Sequence, residues 1–174
     1  MMRIAIIIFL LLLVACQPQK KTTEESPQLV VKVAQVVSGQ TLEVVGMGEQ
    51  PNLITQVRLI GMDAPDLQQR PWGDAAKQRL ETLIGGEQPV MLEFDVEVKD
   101  KFGRTLAYAW KDGVLLNEQL VKEGHGLFVP RSPNLKYDKR LERAQQWARL
   151  MGAGIWNPEK PMRLTPAEFR RQYR

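Results

Sequence analysis

The feature that most constrains this chain is a change of hydrophobic period along its length. Residues 29–36 and 40–46 carry apolar and β-branched side chains around a small polar centre, SGQT, and they predict a β-hairpin. Residues 53–61 predict a third strand, which follows a turn containing Gly and Pro. The folded part of the chain is therefore expected to begin with an antiparallel three-stranded meander.

The spacing becomes helical after the third strand and later returns to alternation. Apolar residues recur at helical intervals over 72–84, and two consecutive glycines end that helix. The segments that follow are predicted as strands over 89–98 and 105–110, and as helices over 114–123 and 137–151. Five short strands with a helix after the third fit an α+β fold, a five-stranded closed β-barrel of the OB type with three flanking helices. An open α+β sheet is the alternative, and barrel closure would remove its exposed edges.

The N-terminus has the pattern of an export signal. Residues 4–15 are uninterruptedly apolar, too short to span a membrane comfortably, and follow the single charge of Arg3. They end in "LVAC", which resembles a bacterial lipoprotein signal whose cysteine, here Cys16, becomes lipidated. The alternatives are an uncleaved anchor or a cysteine that stands at this position by chance. The resemblance implies a domain outside the cytoplasm, held in the cell envelope by a lipid anchor at Cys16.

The excess of positive charge is concentrated at the two ends of the chain. Of the net charge of +4, Arg3 contributes one and residues 159–174 contribute three, so the part between them is formally neutral. A neutral body can bind a phosphate locally but is not expected to form a broad track for nucleic acid. We divide the chain into a signal over 1–15, a flexible tether over 16–28, a folded domain over 29–158 and a basic tail over 159–174.

The tail contains a predicted helix start. Thr165 as N-cap, Pro166 at the first helical position and Glu168 three residues after the cap form a capping box. A short, basic, amphipathic helix is expected there.

Several kinds of catalytic site are excluded by composition. The chain has a single histidine, His125, and therefore no histidine cluster for zinc. It has neither a G-x-S-x-G elbow nor a P-loop. What remains is a set of charged side chains near the ends of predicted strands: Arg58, Asp63, Asp66 and Arg104. Strict alternation would put Arg58 and Asp63 on opposite faces, so they meet only if the strand bends or ends near Gly61.

Four ordered motifs point to a known family. The segments "VRLIGMDAP" and "DKFGRTLAYAW", the pattern G-x-L-L-N-E-x-L-V-K-x-G and a late "GIW" occur in this order between about residues 30 and 157. Together they resemble the thermonuclease, or staphylococcal nuclease-like, family. The resemblance implies an OB-type barrel, a monomer, and calcium-assisted hydrolysis of phosphodiesters in DNA or RNA.

The resemblance also implies roles for individual residues. Arg58 and Arg104 match the arginines that bind the phosphate, and a guanidinium can donate paired hydrogen bonds to its oxygens. Asp63 matches a carboxylate ligand of the metal, and the Ala64 carbonyl matches a backbone ligand. Asp66 stands where the family has the Glu that activates or positions the attacking water.

The first hairpin departs from the family pattern. Where the family has D-G-D-T, this chain has Ser38-Gly39-Gln40-Thr41, so two carboxylates are missing. The Gln40 amide oxygen can coordinate Ca²⁺ but carries no charge, and such a site is expected to hold calcium weakly, at about 10⁻⁴–10⁻³ M. Asp66 is also one methylene shorter than Glu.

These departures leave three functions open. The first is a membrane-anchored nuclease with weakened activity. The second is a catalytically silent OB-type module that binds nucleic acid or another phosphorylated ligand. The third is an envelope lipoprotein whose basic tail contacts anionic lipid or a partner.

Overall fold

The computed structural model describes residues 27–48, 52–86 and 88–173. The predicted signal over 1–15, the lipidated Cys16 and almost all of the tether lie outside the described residues. Within the described ranges, no helix has the length and apolar character needed to cross a bilayer.

Five strands close into a barrel, as the order of periods predicts. β1, β2 and β3 form the antiparallel meander, β5 pairs with both β1 and β6, and β3 pairs in parallel with β6 to close the ring. The alternative of an open sheet is therefore wrong. The barrel strands are β1 (Gln28–Ser38), β2 (Thr41–Val45), β3 (Thr55–Leu59), β5 (Pro89–Glu93) and β6 (Thr105–Lys111).

Three shorter strands, four α-helices and one short 3-10 helix, Gly154–Trp156, complete the described part of the chain. β4 pairs with β8 beside the barrel, and β7 extends the sheet from β6. The short strands are β4 (Met62–Asp63), β7 (Val114–Leu115) and β8 (Leu127–Phe128). The helices are α1 (Trp72–Ile84), α2 (Leu116–Lys122), α3 (Asp138–Leu150) and α4 (Pro166–Tyr173). The first three flank the barrel as predicted, and α4 is the predicted helix of the tail.

The core lies inside the barrel and under α1 and α2. Alternating residues of the strands point inward, and the buried side chains are almost all aliphatic. Burying one such side chain completely stabilises the fold by about 2 kcal/mol. Fully buried examples from five elements are Leu42, Val57, Leu80, Leu92 and Leu106.

The predicted strand over 89–98 is too long by five residues. β5 ends at Glu93, and Val96 and Val98, which alternation placed on the buried face, are 69% and 44% exposed. The chain leaves the sheet here and is held by buried Asn134 instead, whose amide accepts a hydrogen bond from Glu97 N at 2.7 Å and donates one to Glu97 O at 2.8 Å. Alternation alone cannot show where a strand loses its partner.

The C-terminal tail packs against the body. The capping box forms as predicted, because Thr165 N donates to Glu168 Oε2 at 2.7 Å and Glu168 N donates to Thr165 Oγ1 at 3.2 Å. Gln69 Nε2 donates to Leu164 O at 2.9 Å, which ties the tail to the loop before α1. These contacts bring α4 beside the end of β3.

Candidate active site

A cleft of about 750 Å³ opens at one end of the barrel. Its walls come from the β1–β2 turn, the end of β3, the loop before α1, the loop before β6 and α4. The predicted site residues on its walls are Gln40, Arg58, Ala64, Asp66 and Arg104. Asp63 lies beside it, in a smaller cavity of about 170 Å³ that shares Arg58 with the cleft. The structure therefore brings the whole predicted set together.

Gly61 allows Arg58 and Asp63 to meet. β3 ends at Leu59, and Gly61 has a φ of 74°, a conformation that favours glycine. A Cβ at Gly61 would also lie 2.4 Å from Leu141 Cδ1 of α3. The bend turns Asp63 back so that its Oδ1 lies 3.4 Å from Arg58 Nη2. The expected bend near Gly61 is confirmed.

Gly39 brings the β1–β2 turn close to α1. A Cβ at this position would lie 2.5 Å from the Cβ of Ala76 in α1 and 3.0 Å from that of Ala64. The glycine is thus needed for close approach, and the turn is held next to the residues that follow Asp63.

Arg58 is buried with only part of its hydrogen-bonding capacity used. The residue is 8% exposed, and Nη2 donates to Met62 O at 3.1 Å and to Asp63 Oδ1 at 3.4 Å. Nη1 is also buried, and it has no hydrogen-bond partner among the residues that the structure describes. An unsatisfied buried donor costs stability, and at the wall of a cleft it is a binding group for an acceptor.

The charge of Arg58 is disfavoured by its surroundings. The pKa of Arg58 is lowered to about 10, mainly by burial; Arg104, Arg131 and Arg170 add to the lowering, and Asp63 opposes it. The guanidinium is still cationic at neutral pH. An anion in the cleft would relieve the repulsion among these arginines.

Arg104 reaches the cleft from the loop before β6. Its Nε and Nη2 lie 2.9 and 2.7 Å from Asp100 Oδ2, and its backbone N–H donates to Asp100 Oδ1 at 3.0 Å. Burial alone would raise the pKa of Asp100, but these hydrogen bonds hold it below its ordinary value. The Asp100 carboxylate thereby fixes one side of the guanidinium fork.

Asp66 is held in a tight local turn. The residue is 9% exposed, and Oδ1 accepts a hydrogen bond from Gln68 N at 3.0 Å. Its backbone N–H donates to Gln69 Oε1 at 3.1 Å. This turn fixes the carboxylate in the wall of the cleft, where the resemblance calls for a base.

The predicted metal ligands do not fit a calcium site as they are arranged. The Gln40 amide oxygen accepts a hydrogen bond from Ala64 N at 2.6 Å. Asp63 Oδ2 lies 2.6 Å from Arg170 Nη2, while Oδ1 faces Arg58, so both carboxylate oxygens pair with guanidinium groups. In the ranges that the structure describes, no group of three or more His, Cys, Asp or Glu side chains could hold a metal ion. A divalent cation prefers several oxygen ligands with negative charge, and here cations surround the single candidate carboxylate.

Sequence reasoning missed several cleft residues. Arg170 comes from α4, in the tail that the domain division separates from the body, and Arg131 follows β8. Lys101 and Phe102 lie on the loop before β6, and Phe102 is 71% exposed. Phe102 and Lys101 stand inside the motif that contains Arg104, which was a usable signal. Nothing in the local sequence indicates that Arg170 returns to the cleft.

Comparison with known proteins agrees with the barrel and the cleft. The profile of the family described as "Staphylococcal nuclease homologue" matches residues 56–158. A thermonuclease of Staphylococcus hyicus is 37% identical over 131 residues, covering 72% of this chain and 75% of the relative. A thermonuclease of Staphylococcus intermedius is 35% identical over 146 residues, covering 80% and 83%.

A more distant relative extends the comparison beyond the staphylococci. The SPbeta prophage-derived endonuclease YokF of Bacillus subtilis strain 168 is 31% identical over 134 residues, covering 73% of this chain and 44% of the relative. The region matched by the family profile includes Arg58 near the end of β3 and Arg104 in the loop before β6. Because that match extends over more than half of its length, this chain belongs to the staphylococcal nuclease homologue family.

Proposed function

We propose that this protein is a nuclease that hydrolyses phosphodiester bonds of DNA or RNA in the cleft. The observation that carries the proposal is that Arg58, whose buried Nη1 has no hydrogen-bond partner among the described residues, lines a cleft together with Arg104 and Asp66. The names of the relatives, thermonuclease and endonuclease, support the same reaction class.

The two arginines would bind and polarise the phosphate. Arg58 offers a donor that the fold leaves unsatisfied, and Arg104 is held by Asp100 in a fixed orientation. Phosphoryl transfer depends mainly on positioning and on neutralising the charge of the equatorial oxygens. Arg58, at the end of β3, and Arg104, in the loop before β6, would position the phosphate and neutralise its charge.

Asp66 would act as the base. Its carboxylate accepts a proton from a water molecule as the water oxygen bonds to phosphorus, and the bond from phosphorus to one sugar oxygen breaks. The departing sugar oxygen takes up a proton from solvent. Asp66 lies in the same cleft as both arginines, so the base and the phosphate-binding groups share one site.

Calcium assistance by Asp63, Gln40 and the Ala64 carbonyl, which the resemblance implies, stays a prediction. The arrangement of these groups does not support it, because the Asp63 carboxylate is paired with two arginines and the Gln40 amide oxygen with a backbone N–H. No step of the proposed reaction is assigned to a metal ion here.

A second candidate function is a silent module that binds nucleic acid without cleaving it. It is favoured by one observation, the absence of carboxylates in the β1–β2 turn, where Ser38 and Gln40 line the cleft. Such a module would use the same arginines for binding, so binding data alone cannot separate the two functions.

Cleavage of denatured DNA and of RNA separates them. We would incubate the full-length chain in detergent with each substrate, with Ca²⁺ or with a chelator, alongside the variant Arg104→Ala. Cleavage that is lost in the variant supports the nuclease. Saturable binding without cleavage under both metal conditions would reject it in favour of the module.

We also propose that the protein is anchored in the bacterial cell envelope by a lipid on Cys16, with the cleft outside the cytoplasm. The support is the apolar segment that ends at this only cysteine. Metabolic labelling with palmitate should mark the wild-type chain and leave Cys16→Ser unlabelled. Equal labelling of both would contradict the anchor.

A further inference from the structure

We propose that Arg170 takes the place of the metal ion in this cleft and binds the phosphate, so that the protein engages nucleic acid without a divalent cation. The phosphate-binding role rests on the geometry of α4 and Asp63. Its consequence for cleavage rests on the proposed nuclease function.

Arg170 sits on the carboxylate that the resemblance assigns to the metal. Its Nη2 lies 2.6 Å from Asp63 Oδ2, and the Asp63 side chain is 10% exposed while that of Arg170 is 33% exposed. Because Arg58 takes the other oxygen of Asp63, the carboxylate is bracketed by two guanidinium groups. Arg170 also lines the main cleft, so it links Asp63 to the space where a phosphate would lie.

The position of Arg170 is fixed by contacts on other residues of the tail. The capping box starts α4 at a defined residue, and Gln69 holds the preceding segment through Leu164 O at 2.9 Å. On the same helix, the rings of Phe169 and Tyr173 pack against each other with centroids 4.7 Å apart and planes tilted by 37°. Both rings line an apolar cavity together with Trp72. The arginine is therefore delivered to the cleft by a docked helix.

The cleft carries an excess of positive charge. Five cationic side chains line it, and three carboxylates lie on or next to its walls, which leaves a formal charge of +2. The cations are Arg58, Lys101, Arg104, Arg131 and Arg170, and the carboxylates are Asp63, Asp66 and Asp100. A phosphodiester would be attracted to this site, whereas a free divalent cation would be repelled.

A guanidinium can replace part of what a metal supplies. It neutralises phosphate charge and donates paired hydrogen bonds to two oxygens. It cannot lower the pKa of a bound water as a metal does. A site built on Arg170 therefore depends on Asp66 for removing the proton of the attacking water.

The departures in the β1–β2 turn become consistent with this arrangement. A metal site needs the charge of several carboxylates, and Ser38 and Gln40 do not provide it. A guanidinium that is covalently part of the chain needs only one carboxylate partner, and Asp63 provides that. The missing carboxylates of the turn and the pairing of Arg170 with Asp63 are therefore parts of one arrangement.

Binding in a chelator tests the proposal directly. We would measure fluorescence anisotropy of a labelled single-stranded phosphorothioate oligonucleotide with the full-length chain in detergent and excess EDTA. Wild type should bind, Arg170→Ala should bind about tenfold more weakly, and its slope of log K against log salt should be smaller by about 0.7. Arg170→Lys, which keeps the charge but loses the fork, should fall between them.

Arg171→Ala is the matched control, because Arg171 is the next residue of α4 and is exposed. It should change the affinity less than twofold, and thermal unfolding shows whether each variant is folded. Equal effects of the two alanine variants, or binding by wild type only when Ca²⁺ is added, would overturn the proposal.

Cleavage assays on the same proteins keep the two proposals separate. Cleavage by wild type in EDTA that Arg170→Ala lowers would support both. If no variant cleaves any substrate with or without metal while binding still depends on Arg170, the nuclease proposal fails and the phosphate role of Arg170 stands.

Discussion

Two buried charged clusters lie at the ends of different barrel strands, and only one of them is complete. Glu93, at the end of β5, is 3% exposed, and its carboxylate accepts hydrogen bonds from Trp110 Nε1 at 2.7 Å and Tyr137 OH at 2.9 Å and pairs with the Lys136 ammonium. Arg58, at the end of β3, is 8% exposed, yet one of its terminal nitrogens has no partner within the described residues.

The pKa of both groups is lowered, but the effect on their charged forms is opposite. Burial alone would raise the pKa of Glu93, but hydrogen bonds from Lys136, Tyr137 and Trp110 hold it below its ordinary value, so the fold stabilises the charged form. Burial lowers the pKa of Arg58 to about 10, so the fold disfavours its charge. A complete cluster contributes stability, and an incomplete one keeps binding capacity for a ligand at a cost in stability.

The largest expected effect is on activity, from the variant Arg58→Met. Removing the guanidinium should lower kcat/KM for single-stranded DNA by about 10³-fold, the lower end of what one arginine contributes to phosphoryl transfer. The free energy of unfolding should not fall, because a buried and partly unsatisfied cation is replaced by an apolar side chain of similar length. Asp63 keeps Arg170 as its partner. Kinetics and urea unfolding on the same preparation measure both effects.

Arg79→Met is the matched control for this variant. Arg79 of α1 pairs with Glu123 at 2.5 Å and does not line the cleft. It should leave kcat/KM within a factor of two. A large loss of stability in Arg58→Met with unchanged activity per folded molecule would show that the arginine is structural and would erase the contrast between the clusters.

The reverse pattern is expected for Glu93→Gln. The substitution keeps the shape but removes the charge that three donors surround, and it should lower the free energy of unfolding by about 3 kcal/mol. Activity per folded molecule should not change, since Glu93 does not line the cleft. The exposed Glu97, changed to Gln, should cost less than about 0.5 kcal/mol. Equal costs of the two changes in urea unfolding would refute the role of the cluster.

Acid should remove the difference between wild type and Glu93→Gln. The pKa of Glu93 in the folded protein lies below its ordinary value of 4.5, so its contribution is present above about pH 4.5 and is lost as the pH falls through the folded-state pKa. The gap of about 3 kcal/mol at pH 7 should shrink to about 1 kcal/mol or less near pH 3. Burial also raises the pKa of Tyr137 to about 12, so it remains a donor throughout. A gap that is constant between pH 7 and pH 3 would contradict this linkage.

The fold could be predicted because its signals are local. Periods of two and of about 3.6 residues located the strands and helices, and their order indicated the barrel. The end of β5 could not be predicted, because it depends on Asn134, which holds Glu97 from a distant part of the chain. Tertiary contacts decide where a strand loses its neighbouring strand, and the alternation of apolar residues continues through Val96 and Val98 beyond the end of β5.

The candidate site divides in the same way. Four site residues could be predicted because they stand in short motifs: Arg58, Asp63, Asp66 and Arg104. The bend at Gly61 could be predicted because strand alternation would otherwise put Arg58 and Asp63 on opposite faces. The pairing of Asp63 with Arg170 joins residues 107 positions apart, and formal charge counting placed Arg170 in a separate tail. The same counting described a neutral body, whereas the cleft itself is cationic because its arginines converge from four segments.

The smallest expected effect concerns the cleft, and it follows from comparing an aromatic side chain there with one in the Glu93 cluster. Trp110 belongs to the Glu93 cluster, where its Nε1 donates a hydrogen bond to the Glu93 carboxylate. Phe102 is 71% exposed on the wall of the cleft, with Lys101 Nζ 5.1 Å and Arg104 Cζ 5.5 Å from its ring centroid. An exposed ring beside cations suits stacking on a nucleic acid base.

Phe102→Leu should therefore raise the Kd for a single-stranded oligonucleotide by about tenfold, because stacking contributes about 1–3 kcal/mol per base. Stability should be unchanged, since the ring is exposed. Trp147→Leu provides the control, because Trp147 is 50% exposed on α3 and does not line the cleft. Fluorescence anisotropy with a labelled phosphorothioate oligonucleotide measures both variants. An equal loss of affinity in the two would mean that exposed aromatic surface in general, and not the incomplete cluster around Arg58, attracts the ligand.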